Sequence, residues 1–346
     1  MIQPILALGA VGLAIALVPP TSPVAPQGTD LTIPHTFQGG DPALASEVND
    51  NFQAVRTHSN GLSASIKALE DRLPSSQNLV TVAPVGGDFS SVSSALAAAG
   101  ATAAQIAERV AVVVLPGTYA ELATVTVPGG VTLLGSNRTT TILRVEASPA
   151  IELEDAGQIM CISVQNTLIA EAVIGIRAVS VGPDSKIEDV RVLPPDPATF
   201  ITGIGLYDSI LTVRRAEVLD EDTFGIGVQV GGSSDAVTRV AVEDSEIRVN
   251  PFGLDAFLDC EVVVRRTQFR STTPIFAHFD GTFVFVEGCE LTSTDASSIA
   301  TVSQSAQLRL ATSQLAGDVP VVTTGGTVRV VHCYAADFRA LANGDT

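Results

Sequence analysis

Leu-Thr-Val-Arg-Arg-Ala-Glu-Val at residues 211–218 sets a pattern that returns as Val-Ala-Val-Glu-Asp-Ser-Glu-Ile at 240–247, Val-Val-Val-Arg-Arg-Thr-Gln-Phe at 262–269 and Val-Phe-Val-Glu-Gly-Cys-Glu-Leu at 284–291. Two weaker copies follow at 308–315 and 328–335. The central apolar residue of each copy is position zero: Val213, Val242, Val264, Val286, Leu310 and Val330. Intervals of 29, 22, 22, 24 and 20 residues separate the copies. Such periods indicate a solenoid, in which each coil buries its apolar face against its neighbours.

A corner divides each copy into two short strands. Alternate residues of a strand share a face, so positions minus two and zero point inward together. The next apolar or small residues stand at positions three and five, which requires a bend at positions one and two. The sign of the charge at the bend alternates from coil to coil. At position one the residues are Arg214, Glu243, Arg265 and Glu287, and at position two they are Arg215, Asp244 and Arg266. Stacked opposite charges of this kind contribute roughly 0.2–1 kcal/mol per pair and favour one register. A binding site for acidic polysaccharide is the alternative interpretation of these arginines.

The first coils carry a family resemblance. They contain Leu-Pro-Gly-Thr-Tyr-Ala-Glu at 115–121, Val-Thr-Leu-Leu-Gly at 131–135 and Thr-Thr-Ile at 140–142. These segments resemble the opening coils of right-handed parallel β-helix proteins of the pectin-lyase-like superfamily, and in particular the start of pectin methylesterases. The resemblance implies an all-β, right-handed, single-stranded parallel β-helix over residues 79–340. Phe89, Val92 and Leu96 predict a short helix that ends near Gly100 and caps the open end of the solenoid.

The N-terminal segment predicts export. Residues 5–18 form an apolar run of signal-peptide length, and a proline-rich run follows it. We therefore expect a signal peptide over residues 1–25, a linker over 26–40 and a mature chain without a membrane span, located outside the cell or at its surface. An uncleaved N-terminal anchor is the alternative.

Residues 41–73 predict an α-helical coiled-coil stem. Apolar residues recur with heptad spacing at Val48, Phe52, Val55, Leu62, Ile66, Leu69 and Leu73. Residues 36–52 also resemble a segment that precedes coiled coils in many bacterial secreted and phage-tail proteins. We expect a homo-oligomer through this stem, and resemblance to spike-like proteins favours a trimer. A helix lying on the flank of the solenoid is the alternative.

The net charge and the cysteine spacing exclude several kinds of ligand and covalent link. The net charge of −18 argues against nucleic acid and anionic membranes as ligands. Cys289 and Cys333 share position three two coils apart, about 10 Å at the strand spacing of a sheet, which is too far for a disulfide. Cys161 and Cys260 fall elsewhere in the repeat. No motif predicts a metal or another cofactor, and calcium enters only because lyases related to this fold often use it.

Motifs for catalysis are sparse. The polygalacturonase-type and methylesterase-type segments are absent, and the acidic run at 220–222 is typical of a solvated surface. Four residues stay as weak candidates for a catalytic site: Asp255, Asp259, His278 and Asp280. His278 could act as a general base beside Asp280. Tryptophan is absent and the three tyrosines are scattered, which argues against a strong carbohydrate platform.

Three functions remain open at this stage. The first is a secreted or cell-surface scaffold, non-catalytic and oligomeric. The alternative is a polysaccharide lyase or glycoside hydrolase that acts on an acidic polysaccharide. The third is an adhesin that binds a glycan without turnover.

Overall fold

The computed structural model describes residues 34–35, 45–70, 78–106, 108–168, 172–193, 200–233, 236, 238–294, 298–316 and 319–335. The chain divides into two compact units, Met1–Leu73 and Pro74–Thr346. The predicted signal peptide over 1–25 lies outside the described residues, as does most of the predicted linker over 26–40. In the part of the chain that is described, no helix combines the length and the apolar character needed to cross a membrane.

The first unit contains helix α1 (Ala45–Glu70), which covers most of the predicted stem. Just before it in the chain, His35 is tied to the helix by two hydrogen bonds. Its backbone N–H donates to Asn51 Oδ1 at 2.9 Å, and Asn51 Nδ2 donates to the carbonyl of His35 at 2.8 Å. Two of the heptad residues are exposed, Phe52 by 69% and Val55 by 44%. The helix is confirmed, while the coiled coil and its trimeric state stay predictions.

The described residues of the second unit form 28 strands and one helix. Its first half contains β1 (Leu79–Val82), α2 (Val92–Ile106), β2 (Val110–Val114), β3 (Gly117–Glu121), β4 (Val125–Val127), β5 (Val131–Gly135), β6 (Thr141–Val145), β7 (Ile151–Leu153), β8 (Gln158–Met160), β9 (Ser163–Asn166), β10 (Ala172–Val179), β11 (Lys186–Glu188), β12 (Arg191–Leu193), β13 (Phe200–Tyr207) and β14 (Ile210–Arg214). Its second half contains β15 (Glu217–Gly231), β16 (Thr238–Glu243), β17 (Glu246–Phe257), β18 (Cys260–Arg265), β19 (Gln268–Ser271), β20 (Thr273–His278), β21 (Phe283–Glu287), β22 (Glu290–Ser293), β23 (Ser298–Ser303), β24 (Gln307–Ala311), β25 (Gln314–Ala316), β26 (Val319–Thr324), β27 (Thr327–Val331) and β28 (Tyr334–Ala335).

These strands form a parallel β-solenoid, as predicted. One sheet has 11 strands, in the order β1-β2-β5-β8-β11-β14-β16-β18-β21-β24-β27, and a second sheet has 17 strands. The long strands β15 and β17 each run through two successive sides of a coil, so the second sheet wraps around a corner. The central residues Val213, Val242 and Val264 are in register and fully buried. The apolar ladder read from the repeats is therefore the core of the solenoid.

The corner falls where the pattern places it. Arg215, Asp244 and Arg266, all at position two, have φ values of 51°, 51° and 48°, in the left-handed region. Gly288 takes the same place in the next coil, with φ of 62°. One left-handed residue turns the chain through the bend and restores inward pointing at position three. A non-glycine residue in this conformation carries a cost, so the contacts of the coil must stabilise it.

Position three forms an internal ladder of hydrogen-bond acceptors. The backbone N–H groups of Ala216, Ser245 and Cys289 each meet a hydroxyl oxygen one coil further on, at 3.1, 3.4 and 3.2 Å respectively. Thr267 Oγ1 accepts one of these bonds and donates to the carbonyl of Arg265 at 3.0 Å. The small side chains at this position therefore satisfy buried backbone N–H groups that follow each corner. Their hydrogen-bonding role was not predicted from their size.

Opposite charges stack along the corner, as the sequence predicts. Arg265 lies between two glutamates, with its Nη1 3.4 Å from Glu243 Oε1 and its Nε 3.3 Å from Glu287 Oε2. Asp244 accepts from Arg266 Nε at 2.6 Å and from Arg214 Nε at 3.1 Å. The hydrogen bond from Arg266 is the main cause that lowers the pKa of Asp244.

Helix α2 packs on β1 to β5 at the N-terminal end of the solenoid, which confirms the predicted cap. Glu121, the last residue of the Leu-Pro-Gly-Thr-Tyr-Ala-Glu segment, caps this helix, and its Oε1 accepts from the backbone N–H of Val92 at 2.7 Å and of Ser93 at 3.3 Å. The predicted end near Gly100 is wrong, because α2 continues to Ile106. A Cβ at Gly100 would stand 2.9 Å from Pro128 Cγ, so this glycine permits close packing against the sheet instead of ending the helix.

The four cysteines are free thiols. Cys260 and Cys289 are buried, and burial raises the pKa of Cys260 to about 12. Cys289 belongs to the acceptor ladder, and its Sγ lies 3.5 Å from the backbone nitrogen of Thr267. The sequence predicts packing roles for all four cysteines, and burial agrees with this for Cys260 and Cys289. Cys161 and Cys333 are only partly buried, and Cys161 occupies a left-handed position with φ of 55°.

Candidate active site

Two columns of outward-facing residues cross the second sheet on strands β13, β15, β17 and β20. The inward column between them is in register and buried: Leu206, Val230, Ala256 and Ala277. Because side chains alternate along a strand, the residues before and after each of these face outward. The first outward column reads Gly205, Gln229, Asp255 and Phe276. The second reads Tyr207, Gly231, Phe257 and His278.

A chain of hydrogen bonds links four of these side chains. His278 Nε2 lies 2.9 Å from Asp255 Oδ1. The other carboxylate oxygen, Asp255 Oδ2, accepts from Gln229 Nε2 at 3.1 Å. Gln229 Oε1 in turn accepts from the Tyr207 hydroxyl at 2.5 Å. Asp255 thus faces outward from the sheet, yet only 9% of its side chain is exposed, against 18% for His278.

Phenylalanine rings surround the imidazole of His278. Phe276 stacks on it with ring centroids 4.6 Å apart and an interplanar angle of 25°. Phe279 and Phe257 approach it at 4.4 and 5.6 Å. Phe252 stacks on Phe276 at 4.9 Å, which extends the aromatic surface along the coil. The rings leave the Asp255–His278 contact largely buried, and burial lowers the local dielectric and strengthens the contact.

Two glycines make room for aromatic rings between the strands. A Cβ on Gly231 would stand 2.6 Å from Cζ of Phe257, and one on Gly205 would stand 3.1 Å from Cε2 of Tyr207. The side chain of Tyr207 also meets the ring of Phe257 edge-on, at 6.4 Å. Both rings therefore lie against bare backbone, Phe257 at Gly231 of the adjacent strand and Tyr207 at Gly205 of its own strand, and they close the side of the cluster.

Tyr207 stays a hydrogen-bond donor over a wide range of pH. Burial raises the pKa of its hydroxyl, the charge of Asp255 raises it further, and Arg177 opposes both effects. The phenol therefore remains protonated at neutral pH. Arg177 lies on β10 opposite Gly205 and pairs through Nη2 with Glu152 at 2.8 Å.

The four residues predicted from sequence fall into two groups. Asp255 and His278 come together although 23 residues separate them. Asp259 and Asp280 lie at the next corner, where the backbone N–H of Asp259 meets the carbonyl of Asp280 at 3.3 Å. The structure corrects the pairing of His278 with Asp280, because the imidazole bonds across the coil to Asp255. Asp280 itself is exposed.

Sequence reasoning did not identify Gln229 or the phenylalanines. It considered tryptophan and tyrosine as markers of a carbohydrate platform, and it left out the phenylalanines that the fold gathers. Three of them, Phe252, Phe257 and Phe276, occur within one coil of each other, which is the signal that a search for aromatics by coil could have used.

The arginine-rich corner is the other candidate that the sequence raised. It lines a cleft of about 330 Å³ whose arginines are Arg138, Arg215 and Arg266. Each of the three already pairs with carboxylates: Arg138 with Asp189 and Glu217, Arg215 with Glu188, and Arg266 with Asp244. The geometry supports the structural interpretation of this corner. Among the described residues, no group of three or more histidine, cysteine, aspartate or glutamate side chains is placed to hold a metal ion.

No protein-family model matches the chain, and no curated protein sequence matches it. Among solved structures, it is similar to the pectin methylesterase from carrot, with 16% identity over 77% of this chain and 84% of that chain and a TM-score of 0.40. A pectin methylesterase from Erwinia chrysanthemi shows 9% identity over 78% and 92% of the two chains, with a TM-score of 0.37. An alginate lyase from Paenibacillus sp. shows 10% identity over 74% and 99%, with a TM-score of 0.38.

Proposed function

We propose that this protein is a secreted enzyme that cleaves a polysaccharide by general-base catalysis at His278. The observation that carries the proposal is the Asp255–His278 pair, enclosed by phenylalanines on the outer face of the solenoid. Ligand sites are commonly lined by aromatic side chains with a few placed polar groups, and here the apolar face of a sugar ring would pack on the phenylalanines while a polar edge reaches the base. Secretion is part of the proposal and follows from the predicted signal peptide.

The geometry gives His278 the properties of a general base. When Asp255 is ionised, Nε2 carries the proton of the 2.9 Å bond and Nδ1 keeps its lone pair. Nδ1 forms no hydrogen bond with any residue that the structure describes. A proton taken up by Nδ1 creates an imidazolium, and the carboxylate of Asp255 stabilises that charge.

The arrangement favours elimination over glycoside hydrolysis. Hydrolysis uses two carboxyl groups on either side of the glycosidic bond, about 5–10 Å apart. Within the described part of the chain, Asp255 is the only carboxylate bonded into the cluster, and both of its oxygens are occupied. In a β-elimination on a uronic acid, His278 Nδ1 removes the proton from the carbon beside the carboxylate. That electron pair forms the new carbon–carbon double bond as the glycosidic C–O bond breaks, and the leaving oxygen takes a proton from water.

The test is turnover of a panel of uronate-containing polysaccharides. Elimination yields a double bond conjugated to the carboxylate, which absorbs in the ultraviolet and distinguishes elimination from hydrolysis. We expect His278→Asn to lower kcat by about 10²–10⁴, the usual contribution of a general base. Asp280→Asn serves as the matched control, because Asp280 is exposed and lies outside the hydrogen-bond chain. Wild-type protein without turnover on any member of the panel, or a His278→Asn variant as active as the control, would rule the proposal out.

An oligomeric extracellular scaffold is the second candidate function. It is supported by the exposure of Phe52 and Val55 on the heptad stripe of α1, since exposed apolar heptad residues are stabilised by a partner helix. We expect the full chain to form a trimer in light scattering and a chain without residues 41–73 to be monomeric. A monomer at all accessible concentrations excludes this function. Glycan binding without product on an array would point to an adhesin instead.

A further inference from the structure

We propose that Gln229 and Tyr207 are positioning residues that hold His278 as the tautomer with the proton on Nε2 and a free Nδ1. The catalytic consequence of this inference rests on the proposed function, while the tautomer itself can be measured without a substrate. The observation that supports this inference is the unbroken chain of hydrogen bonds from the Tyr207 hydroxyl through Gln229 and Asp255 to His278.

The orientation of the Gln229 amide follows from its two partners. The Tyr207 hydroxyl is protonated, so it donates to the oxygen of the amide and not to the nitrogen. The amide nitrogen must then face Asp255 Oδ2, where it donates at 3.1 Å. The opposite orientation would set the amide oxygen against a carboxylate oxygen, which cannot donate to it. Asp255 therefore fixes the orientation of the amide, and the bond donated by Tyr207 to Gln229 Oε1 holds the amide in that orientation.

A fixed amide leaves only one place for the proton of His278. Gln229 occupies Oδ2 of Asp255, and the remaining oxygen, Oδ1, faces Nε2 of the imidazole. Asp255 has 9% of its side chain exposed, so water does not replace either partner. A carboxylate only accepts hydrogen bonds, and Nε2 must donate. Nδ1 is left without the proton, on the side of the ring that Asp255 does not contact.

Among the described residues, Asp255 and Arg177 are the charged groups that shift the pKa of Tyr207. On β10, Arg177 lies across Gly205 from Gln229, and its charge lowers the pKa of Tyr207 against the effect of Asp255. Its own side chain is engaged with Glu152. The bonds from Gln229 and His278 are therefore the interactions that orient Asp255.

The experiment measures the ring ¹⁵N shifts of His278 in the full chain at neutral pH. The chain has four histidines, and a His278→Asn variant identifies the signal. We expect the wild type to be the Nε2–H tautomer. Gln229→Leu and Tyr207→Phe should shift His278 toward a mixture of tautomers, and Asp255→Asn should reverse the tautomer, because an amide N–H can donate to Nε2. Gln314→Leu and Tyr334→Phe are the matched controls, since both residues are exposed and lie far along the chain from the cluster.

Turnover adds a second readout. We expect Gln229→Leu and Tyr207→Phe to lower kcat by about 10- to 100-fold with little change in KM, the range seen when groups that orient a metal-bound histidine are removed. Unchanged ring shifts in both variants would overturn the inference, even in an active enzyme. Shifted tautomers in a chain that cleaves no polysaccharide would support the positioning role and exclude the proposed function. Tyr207→Phe removes a single oxygen, so it keeps the test available if Gln229→Leu does not fold.

Discussion

Replacing Thr267 with valine isolates the contribution of the acceptor ladder behind the corner. Thr267 is fully buried, and its hydroxyl accepts from the N–H of Ser245 at 3.4 Å and donates to the carbonyl of Arg265 at 3.0 Å. Valine has nearly the same shape, so packing changes little. The N–H of Ser245 loses its acceptor one coil away.

The expected loss is set by that unsatisfied N–H group. A buried donor without a partner costs about 1–3 kcal/mol, and the added methyl group returns at most about 0.8 kcal/mol. We expect the free energy of unfolding to fall by about 1–2 kcal/mol. Thr267→Ser removes the methyl group and keeps the hydroxyl, so it separates the two effects. Thr212→Val is the control for the substitution itself, because Thr212 lies on the outer face of β14 and its hydroxyl bonds no described residue.

The assay is amide hydrogen exchange, with urea unfolding as a second measure. Loss of about 1.4 kcal/mol makes exchange tenfold faster, and we expect this change at the Ser245 amide in Thr267→Val. Thr267→Ser should leave that amide protected. A Thr267→Ser variant that is less stable than Thr267→Val, with normal protection of Ser245 in both, would show that packing and not hydrogen bonding explains the small residues at position three.

Other perturbations test the corner, the cap and the site. Acidification should lower the free energy of unfolding through Glu188. Burial raises the pKa of this carboxyl, but Lys186 and Arg215 outweigh burial and hold the pKa below its usual value. The stabilisation is therefore present above the pKa of the unfolded state and is lost as the pH falls through the pKa of the folded state. Urea midpoints between about pH 5 and 2 should therefore fall less steeply for Glu188→Gln than for the wild type. Glu121→Ala should cost about 0.5–2 kcal/mol and speed amide exchange in α2, while Glu121→Gln keeps an acceptor and most of the stability. Gly231→Ala should displace the ring of Phe257 and lower kcat with little change in the urea midpoint, and an unaltered ring in NMR spectra would contradict the packing of the cluster.

The repeat pattern predicts the fold because it records burial directly. Positions minus two, zero, three and five all point inward in the first five copies, and the structure aligns Val213, Val242 and Val264 in one ladder. The charge alternation from Arg214 through Glu243 to Arg265 could also be predicted, because the corner lies a constant number of residues after position zero. Gly100 alone could not predict where α2 ends. The role of this glycine depends on its packing against Pro128, a residue distant in sequence.

The candidate site was only half predictable, because its columns do not keep a constant distance from position zero. The chain covers 18 residues from Val213 to Gly231, 15 from Val242 to Phe257 and 14 from Val264 to His278, although all three end in one column. Strand β15 contains a register shift relative to β17 between Asp220 and Phe224, which accounts for part of the change. A search by fixed period cannot align such columns, so the partner of His278 was sought nearby at Asp280 instead of one coil away at Asp255.

The charge alternation at the corner also constrains how a solenoid of this kind can change its length. The sign at position one repeats every second coil, with Arg214 and Arg265 positive and Glu243 and Glu287 negative. Duplicating or deleting a single coil here would bring two arginines or two glutamates to adjacent levels. Duplicating two coils together would preserve the order of signs. In this region a pair of coils is therefore the smallest unit whose duplication or deletion preserves the order of charges at the corner.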